Sequence, residues 1–426
     1  MNILKTGLGA GAIAIASCMA LAAPLAAEQL PRGDAAALGF DPDRLARMDM
    51  AFNAAIERGM MPGAVVMLIR DGQIAHLSTQ GLQSPDGKPM TEDTIFRIYS
   101  MTKPVTTAAA MMLVEEGRLI LNAPVASYIP AFAEMQVATG NENADGTPET
   151  RPATRNMTVR DLMRHTAGLT YGFFGAGHAR DAYNEAGVAN PELTAMEQAE
   201  LLASLPLEHE PGTTWEYSRA TDVLGAVVEA ASGQSLGDFL KARIFDPLGM
   251  VDTDFYVDDS AKHPRIAEAF PDQAKIGPFD MFDPRVRMAS ESGGGGLVST
   301  VHDYSLFAQM MLNGGELNGT RLLSPKTIQL MTANHMDGIQ PGKYYLPGPG
   351  YGFGLGYGVR LSDGNAPSFG SAGEFYWGGA AGTFYVTDPQ EDLIGLMMVQ
   401  TPANRVPLRL MFKNMLYPAI VDSRVD

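Results

Sequence analysis

Apolar positions between Asp41 and Arg58 fall at Leu45, Met48, Phe52 and Ile56, one face of a 3.6-residue period, and Asp41-Pro42 supplies a start signal, so a helix is expected there. The period then changes. Residues 62–81, PGAVVMLIRDGQIAHLSTQG, are two apolar runs flanking Asp71-Gly72, a pair suited to a type I′ turn, which predicts a β-hairpin. From about 104 to 270 helical spacing returns at 104–119, 158–168, 192–205, 220–233 and 235–250, separated by Pro- and Gly-rich connectors. The polar stretch 139–150, TGNENADGTPET, reads as a surface loop. Beyond 293-GGGG-296 the pattern predicts helices at 300–315 and 324–335, strands at 351–361, 375–389 and 392–400, and a last helix over roughly 405–420. An antiparallel turn is expected at Asp388–Glu391. Strands near both termini with helices between them predict an α/β chain of α+β type. Its antiparallel sheet, flanked by helices, is built from residues 28–102 and 285–426, and a mainly helical lobe, 103–284, is inserted. The cleft between the lobes is the expected site.

Composition narrows the partners. A chain of 426 residues with 46% hydrophobic and 19% charged residues buries a large core. The net charge of −17, without a basic patch, argues against nucleic acid or an anionic membrane surface. Residues 1–27 carry Lys5, then small apolar residues down to Ala26-Ala27, the form of a secretory signal peptide. The mature protein is therefore expected in the periplasm or outside the cell, without an integral membrane span. Ile15-Ala16-Ser17-Cys18 loosely resembles a bacterial lipoprotein site, but apolar sequence continues past the cysteine, which favours simple cleavage. Cys18 is the only cysteine, so a chain cut after it has no disulfide, thiol nucleophile or thiolate metal site.

The seven histidines form no H-E-x-x-H and no compact ligand spacing, so no metal is expected, nor any other cofactor. A Ser-His-Asp triad stays open, because its members need not be neighbours in sequence. The G-x-S-x-G at 233-GQSLG-237 follows a helix rather than a strand, which is wrong for a nucleophile elbow. Gly233 reads instead as a helix C-terminal residue, and Ser235 with Asp238 as the capping start of the next helix. The glycines of 293–296 lack the Gly-Lys-Ser/Thr of a phosphate loop and read as flexible backbone before a helix; those of 352-GFGLGYG-358 suit a strand pressed against other backbone.

Ser100 and Lys103, in 95-IFRIYSMTKPVT-106, share a helix face. Pro104 fits a first helical turn and places Ser100 at or just before the helix N-terminus. A serine hydroxyl needs a base or cation within reach, and the helix N-terminus offers N–H groups to a developing oxyanion. The bland alternative is a serine cap followed by a solvated lysine.

Six segments decide between these: 95–106, 161-DLMRHTAGLTYG-172, 211-PGTTWEYSRATDVLG-225, 292-SGGGGLVSTVHDY-304, 322-LLSPKTIQLM-331 and 377-WGGAAGT-383. In this order they resemble the class C β-lactamase-like serine hydrolases, which include penicillin-binding proteins, D-alanyl-D-alanine carboxypeptidases and the family VIII carboxylesterases. The resemblance implies a β-lactamase/penicillin-binding-protein-like fold. It makes Ser100 the acylated nucleophile, Lys103 its proton acceptor or electrostatic partner, and Tyr217 general base and proton donor to the leaving group. The oxyanion hole would be the N–H groups of Ser100 and Ala380. Trp377, Gly378 and Gly379 would stand where the family has K-T-G, the glycines letting substrate approach the strand, and Arg219 where it has the asparagine of Y-x-N. Those two departures weigh against a dedicated lactam or peptidoglycan enzyme, and W-G-G resembles the family VIII esterases. Phe173, with Tyr171 and Phe174, is expected to add an apolar wall.

The expected activity is therefore a serine carboxylesterase acting on small-molecule, short-chain acyl esters, with side activity on β-lactams, cephalosporins especially. The alternatives are a dedicated β-lactamase or D-Ala-D-Ala carboxypeptidase, and a catalytically silent binding protein of the same fold.

Overall fold

The structure, a computed structural model, describes residues 29–425; the segment read as a signal peptide, with Cys18, lies outside them. Helix α1, Pro42–Glu57, starts where the Asp41 carboxylate accepts the Asp43 and Arg44 N–H groups, and Pro42 has no donor to lose there. The predicted hairpin follows as β1, Gly63–Arg70, and β2, Gln73–Gly81. Asp71 and Gly72 take φ of 53° and 68°, the left-handed pair that a type I′ turn requires.

Strand β1 is buried along its whole length because it lies inside a seven-stranded antiparallel sheet with both faces covered. The other strands come from the far end of the chain: β3, Tyr351–Phe353; β4, Gly358–Arg360; β5, Phe375–Gly378; β6, Gly382–Asp388; and β7, Leu393–Gln400. Their order is β3-β4-β5-β6-β7-β1-β2, so the two ends of the described chain meet where β7 pairs with β1. The two-residue period divides β1 between two cores. Ala64, Val66 and Leu68 face Phe52 of α1 and Phe412 of the last helix, Arg405–Leu416; Val65, Met67 and Ile69 join the larger core on the other face.

That larger core contains α2, Thr102–Glu115, in which every residue from Thr102 to Leu113 is buried, and α3, Ala220–Ser232, packed against it. A helix buried all round has no solvent face to explain a charged side chain, so Lys103 inside α2 requires specific partners. Helix α3 ends at Gly233 with φ 72°, and α4, Leu236–Leu240, begins with the Ser235 hydroxyl accepting the Asp238 N–H at 3.1 Å. Helix α5, Val301–Leu312, and α6, Arg405–Leu416, cover opposite faces of the sheet. Among the described residues no helix is long and apolar enough to cross a membrane.

Four segments differ from expectation. The polar stretch 139–150 is a hairpin rather than a loop: Gln136–Glu142 pairs with Pro148–Pro152, anchored at its base by buried Val137. The run 351–361 is two strands, broken where Gly354 closes on Met331; a Cβ at Gly354 would lie 2.2 Å from the Met331 carbonyl oxygen, so the close backbone approach is real but it interrupts the strand. The run 375–389 also turns back on itself, at Gly379–Ala381. Finally, Gly293–Gly296 is not flexible spacer. A Cβ on Gly293 would come within 2.7 Å of Thr221 O in α3, and one on Gly294 within 2.7 Å of the Asp222 carboxylate.

Candidate active site

Strand Phe96–Arg97, paired with Val298–Ser299, carries the chain to Tyr99, which takes φ 42°. A 3₁₀ turn, Tyr99–Met101, then leads into α2, whose N-cap position is Met101 and has no side-chain cap. The Ser100 hydroxyl is thereby free of capping duty. It receives Lys103 Nζ at 3.3 Å. Lys103 is fully buried, and Nζ also donates to the Tyr171 hydroxyl at 3.2 Å and to Gly294 O at 2.6 Å. An ammonium has three protons, and here three acceptors meet them. Burial alone would lower the lysine pKa, but Tyr171, Tyr217 and Asp222 outweigh it and raise it above the ordinary value. Burial pushes Tyr171 up to about 12, against the pull of Lys103, so its hydroxyl is neutral and can accept.

The Tyr217 ring centroid lies 4.6 Å from Lys103 Nζ, and its hydroxyl accepts Trp377 Nε1 at 3.3 Å. Trp215 stacks on Tyr217 at 6.0 Å and the His165 ring lies 4.9 Å away. His165 takes φ 58°, its Nδ1 is 3.2 Å from Ser218 Oγ, and burial followed by the Lys103 charge holds it well below the usual imidazole range. It is a neutral support for the tyrosine. Asp222 binds the Ser292 hydroxyl and the Gly294 N–H, fixing the loop whose carbonyl meets Lys103. Arg219 lies over the Tyr171 ring at 5.6 Å and 3.8 Å from Asp222.

The turn between β5 and β6 faces Ser100. Among the described residues neither the Ser100 N–H nor the Ala380 N–H has a hydrogen-bond partner. The glycines here do more than admit substrate. A Cβ on Gly379 would stand 2.3 Å from Ile98 O, so close packing requires that glycine, and one on Gly378 would stand 2.6 Å from Arg409 Cζ, where the guanidinium would have to move.

Ser100, Tyr217, Trp377, Gly378, Gly379, Ala380, Phe173 and Arg219 all line one cavity of about 1050 Å³, with Lys103 beneath its floor. Tyr171, read from sequence as part of an apolar wall, lines it too and in addition holds the lysine. The rim was not foreseen: Phe279, Val286, Leu346, Val406 and Leu410 border the cavity while remaining exposed to solvent. Phe279, Val286 and Leu346 are large apolar residues in connectors, and Val406 and Leu410 lie on the exposed side of α6. A second cavity, about 460 Å³, is lined by Ala138, His178, Asp181 and Glu208 among others and contains none of the candidate residues.

The beta-lactamase family profile matches residues 48–416. The chain is 37% identical to an uncharacterised protein of Mycobacterium tuberculosis, over 81% of this chain and 87% of that one. It is 31% identical to the esterase EstB of Burkholderia gladioli, over 87% of this chain and 95% of EstB. Among solved structures, EstCE1, a hydrolase with promiscuous acyltransferase activity, is 28% identical and superposes with a TM-score of 0.72 over 89% of this chain and 99% of that one. Fold, profile and relatives agree: the chain belongs to the beta-lactamase family and is a serine hydrolase of carboxylesterase type, related to the family VIII esterases.

Proposed function

We propose that the protein hydrolyses short-chain acyl esters through an acyl-enzyme on Ser100. The observation that carries this reading is the buried Lys103 at 3.3 Å from a serine hydroxyl that caps no helix, with Tyr217 in the same cavity. The Ser100 oxygen attacks the ester carbonyl carbon while its proton passes to the oxygen of Tyr217, which acts as the base in its phenolate form beside the Lys103 ammonium, and the Ser100 and Ala380 N–H groups receive the oxyanion. The C–O bond to the alcohol then breaks and Tyr217 returns the proton to the departing oxygen. Water repeats the sequence on the acyl-enzyme. Lys103, whose three N–H groups are all donated, has no lone pair to take a proton and serves as the adjacent positive charge. Trp377 and Phe173 offer apolar surface to an uncharged ester, and cephalosporins would be turned over as a side reaction in which ring strain eases leaving-group departure. The N-terminal segment supports export, so the ester is met in the periplasm or outside the cell.

Acyl transfer to an alcohol is the second reading. A cavity of about 1050 Å³ with an apolar rim has room for an acceptor beside a short acyl group, and EstCE1 combines both activities.

Exposure to an organophosphonate followed by intact-mass analysis is expected to show one adduct, on Ser100, absent in Ser100→Ala. A far higher kcat/KM on a cephalosporin than on p-nitrophenyl butyrate would overturn the esterase reading. Adding short alcohols and measuring ester product against free acid separates transfer from hydrolysis.

A further inference from the structure

Arg409, on α6, lines the cavity and makes no ion pair among the described residues. Its Nη2 donates to the carbonyl oxygens of Gly379 and, at 3.0 Å, of Thr383. Those two carbonyls mark the ends of the turn between β5 and β6: the Gly379 N–H bonds to Thr383 O at 2.8 Å and the Gly382 N–H to Gly379 O at 3.1 Å. One guanidinium therefore bridges the base of the turn that presents Ala380. Its Nε is buried without a partner, and burial followed by the neighbouring Arg405 charge brings its pKa down to about 10. The residue as a whole is half-buried, and a guanidinium held there on carbonyls without a carboxylate partner gains little stability of its own.

Two glycines complete the arrangement. Gly378 leaves the space that the guanidinium fills, because a Cβ there would lie 2.6 Å from Arg409 Cζ. Gly379 is pressed on its other side against Ile98 O, two residues before Ser100, where a Cβ would stand at 2.3 Å. The turn is thus pinned from the serine side by backbone contact and from the helix side by Arg409. An N–H group must be aimed within a few tenths of an ångström to favour an oxyanion over a ground-state carbonyl, and the 379–383 turn has only one polar side chain of its own, Thr383, whose hydroxyl donates to Ile98 O at 3.4 Å.

We propose that Arg409 is a positioning residue for the oxyanion hole, fixing the 379–383 turn so that the Ala380 N–H points at the oxyanion, and adding positive charge behind it. The inference rests on the reading of Ser100 as nucleophile and Ala380 as donor. Gly378 then serves Arg409 rather than the substrate alone.

The test uses the purified full chain with p-nitrophenyl butyrate and a butylboronic acid as a tetrahedral mimic. Arg409→Ala is expected to lower kcat by about 10- to 100-fold, below the loss of an oxyanion donor itself, with KM within about threefold. Boronate affinity should fall by the same factor as kcat/KM. Millimolar guanidinium chloride should restore part of the activity of Arg409→Ala, with equal NaCl giving none. Arg409→Lys, which keeps the charge without the two-carbonyl fork, should stay impaired. Gly378→Ala should be strongly impaired beside Arg409 but cost little more in the Arg409→Ala background, where nothing occupies the space.

Wild-type kcat in Arg409→Ala, a loss confined to KM with boronate affinity unchanged, or additive losses in the double variant would each overturn the proposal. If Arg409→Ala does not fold, Arg409→Lys and Gly378→Ala decide it by the same readouts. Phosphonate labelling separates the two levels: a wild type unlabelled at Ser100 refutes the underlying mechanism, whereas normal labelling with an indifferent Arg409 refutes only this inference.

Discussion

The starts of α2 and α4 carry the same local pattern, a serine three residues ahead of a charged side chain, and they do opposite things. At α4, Ser235 sits in extended backbone, its hydroxyl takes the Asp238 N–H, and Asp238 faces solvent. At α2, Ser100 lies inside a 3₁₀ turn, the uncapped N-cap falls on Met101, and Lys103 points into the core. Three other helix starts follow the α4 solution. Thr158 with Asp161 and Thr194 with Glu197 form complete capping boxes, and Thr300 accepts the Asp303 N–H ahead of α5. Spacing alone does not separate a nucleophile from a cap. What separates them is whether the hydroxyl is already spent on its own helix, and Tyr99 with φ 42° is the backbone feature that sets Ser100 apart.

The contrast can be broken most directly at the serines themselves. Ser100→Ala should reduce kcat on p-nitrophenyl butyrate by about 10⁴-fold or more, whereas Ser235→Ala should leave it within twofold; comparable losses would erase the distinction. Lys103→Met, nearly isosteric, should cost about 10³-fold in kcat. Its thermal midpoint should fall, because the buried Gly294 carbonyl and Tyr171 hydroxyl lose their donor; an unchanged kcat per folded molecule would make Lys103 structural instead.

Asp303 tests a cap whose partner has been drawn inward. Its carboxylate accepts the Asp252 N–H at 2.7 Å and the Thr253 hydroxyl at 2.8 Å, yet burial pushes it up to about 7. Between about pH 4 and pH 7 the native protein holds a proton that the unfolded chain releases, so this group lowers stability as pH rises through that window. Asp303→Asn has no proton to lose and should remove about 2 kcal/mol of the decline between pH 5 and pH 8, read from urea midpoints. The smallest effect belongs to the ordinary cap: Ser235→Ala should cost about 1 kcal/mol of stability.

Much of the scaffold was legible because its rules are local. Asp41-Pro42, Asp71-Gly72, Gly233 and Ser235 act within four residues, and each is where the sequence places it. The breaks at Gly354 and Gly379 were hidden because both flanks of each are buried, so the apolar run continues through the turn. In the site, Ser100 and Lys103 share one helical turn and could be paired by spacing, while Tyr217 and Trp377 came only through family resemblance. Tyr171 was read as a wall because nothing near it in sequence announces a lysine 68 residues away. Gly294 was invisible for a different reason: its contribution is a backbone carbonyl, which no residue type encodes. Arg409 lies 30 residues from the carbonyl it holds, on a helix that periodicity assigns to the core.

The run Gly293–Gly296 has a practical corollary for engineering. By composition it is the natural place to splice in a tag, open a circular permutant or lengthen a loop. Gly293 and Gly294 are instead seated against α3, the Gly294 carbonyl is an acceptor for Lys103, and its N–H is held by Asp222. A cut at this spot would sever the electrostatic wiring of the proposed catalytic centre, whereas the exposed tip of the 136–152 hairpin is where the molecule can be rewired without its chemistry noticing.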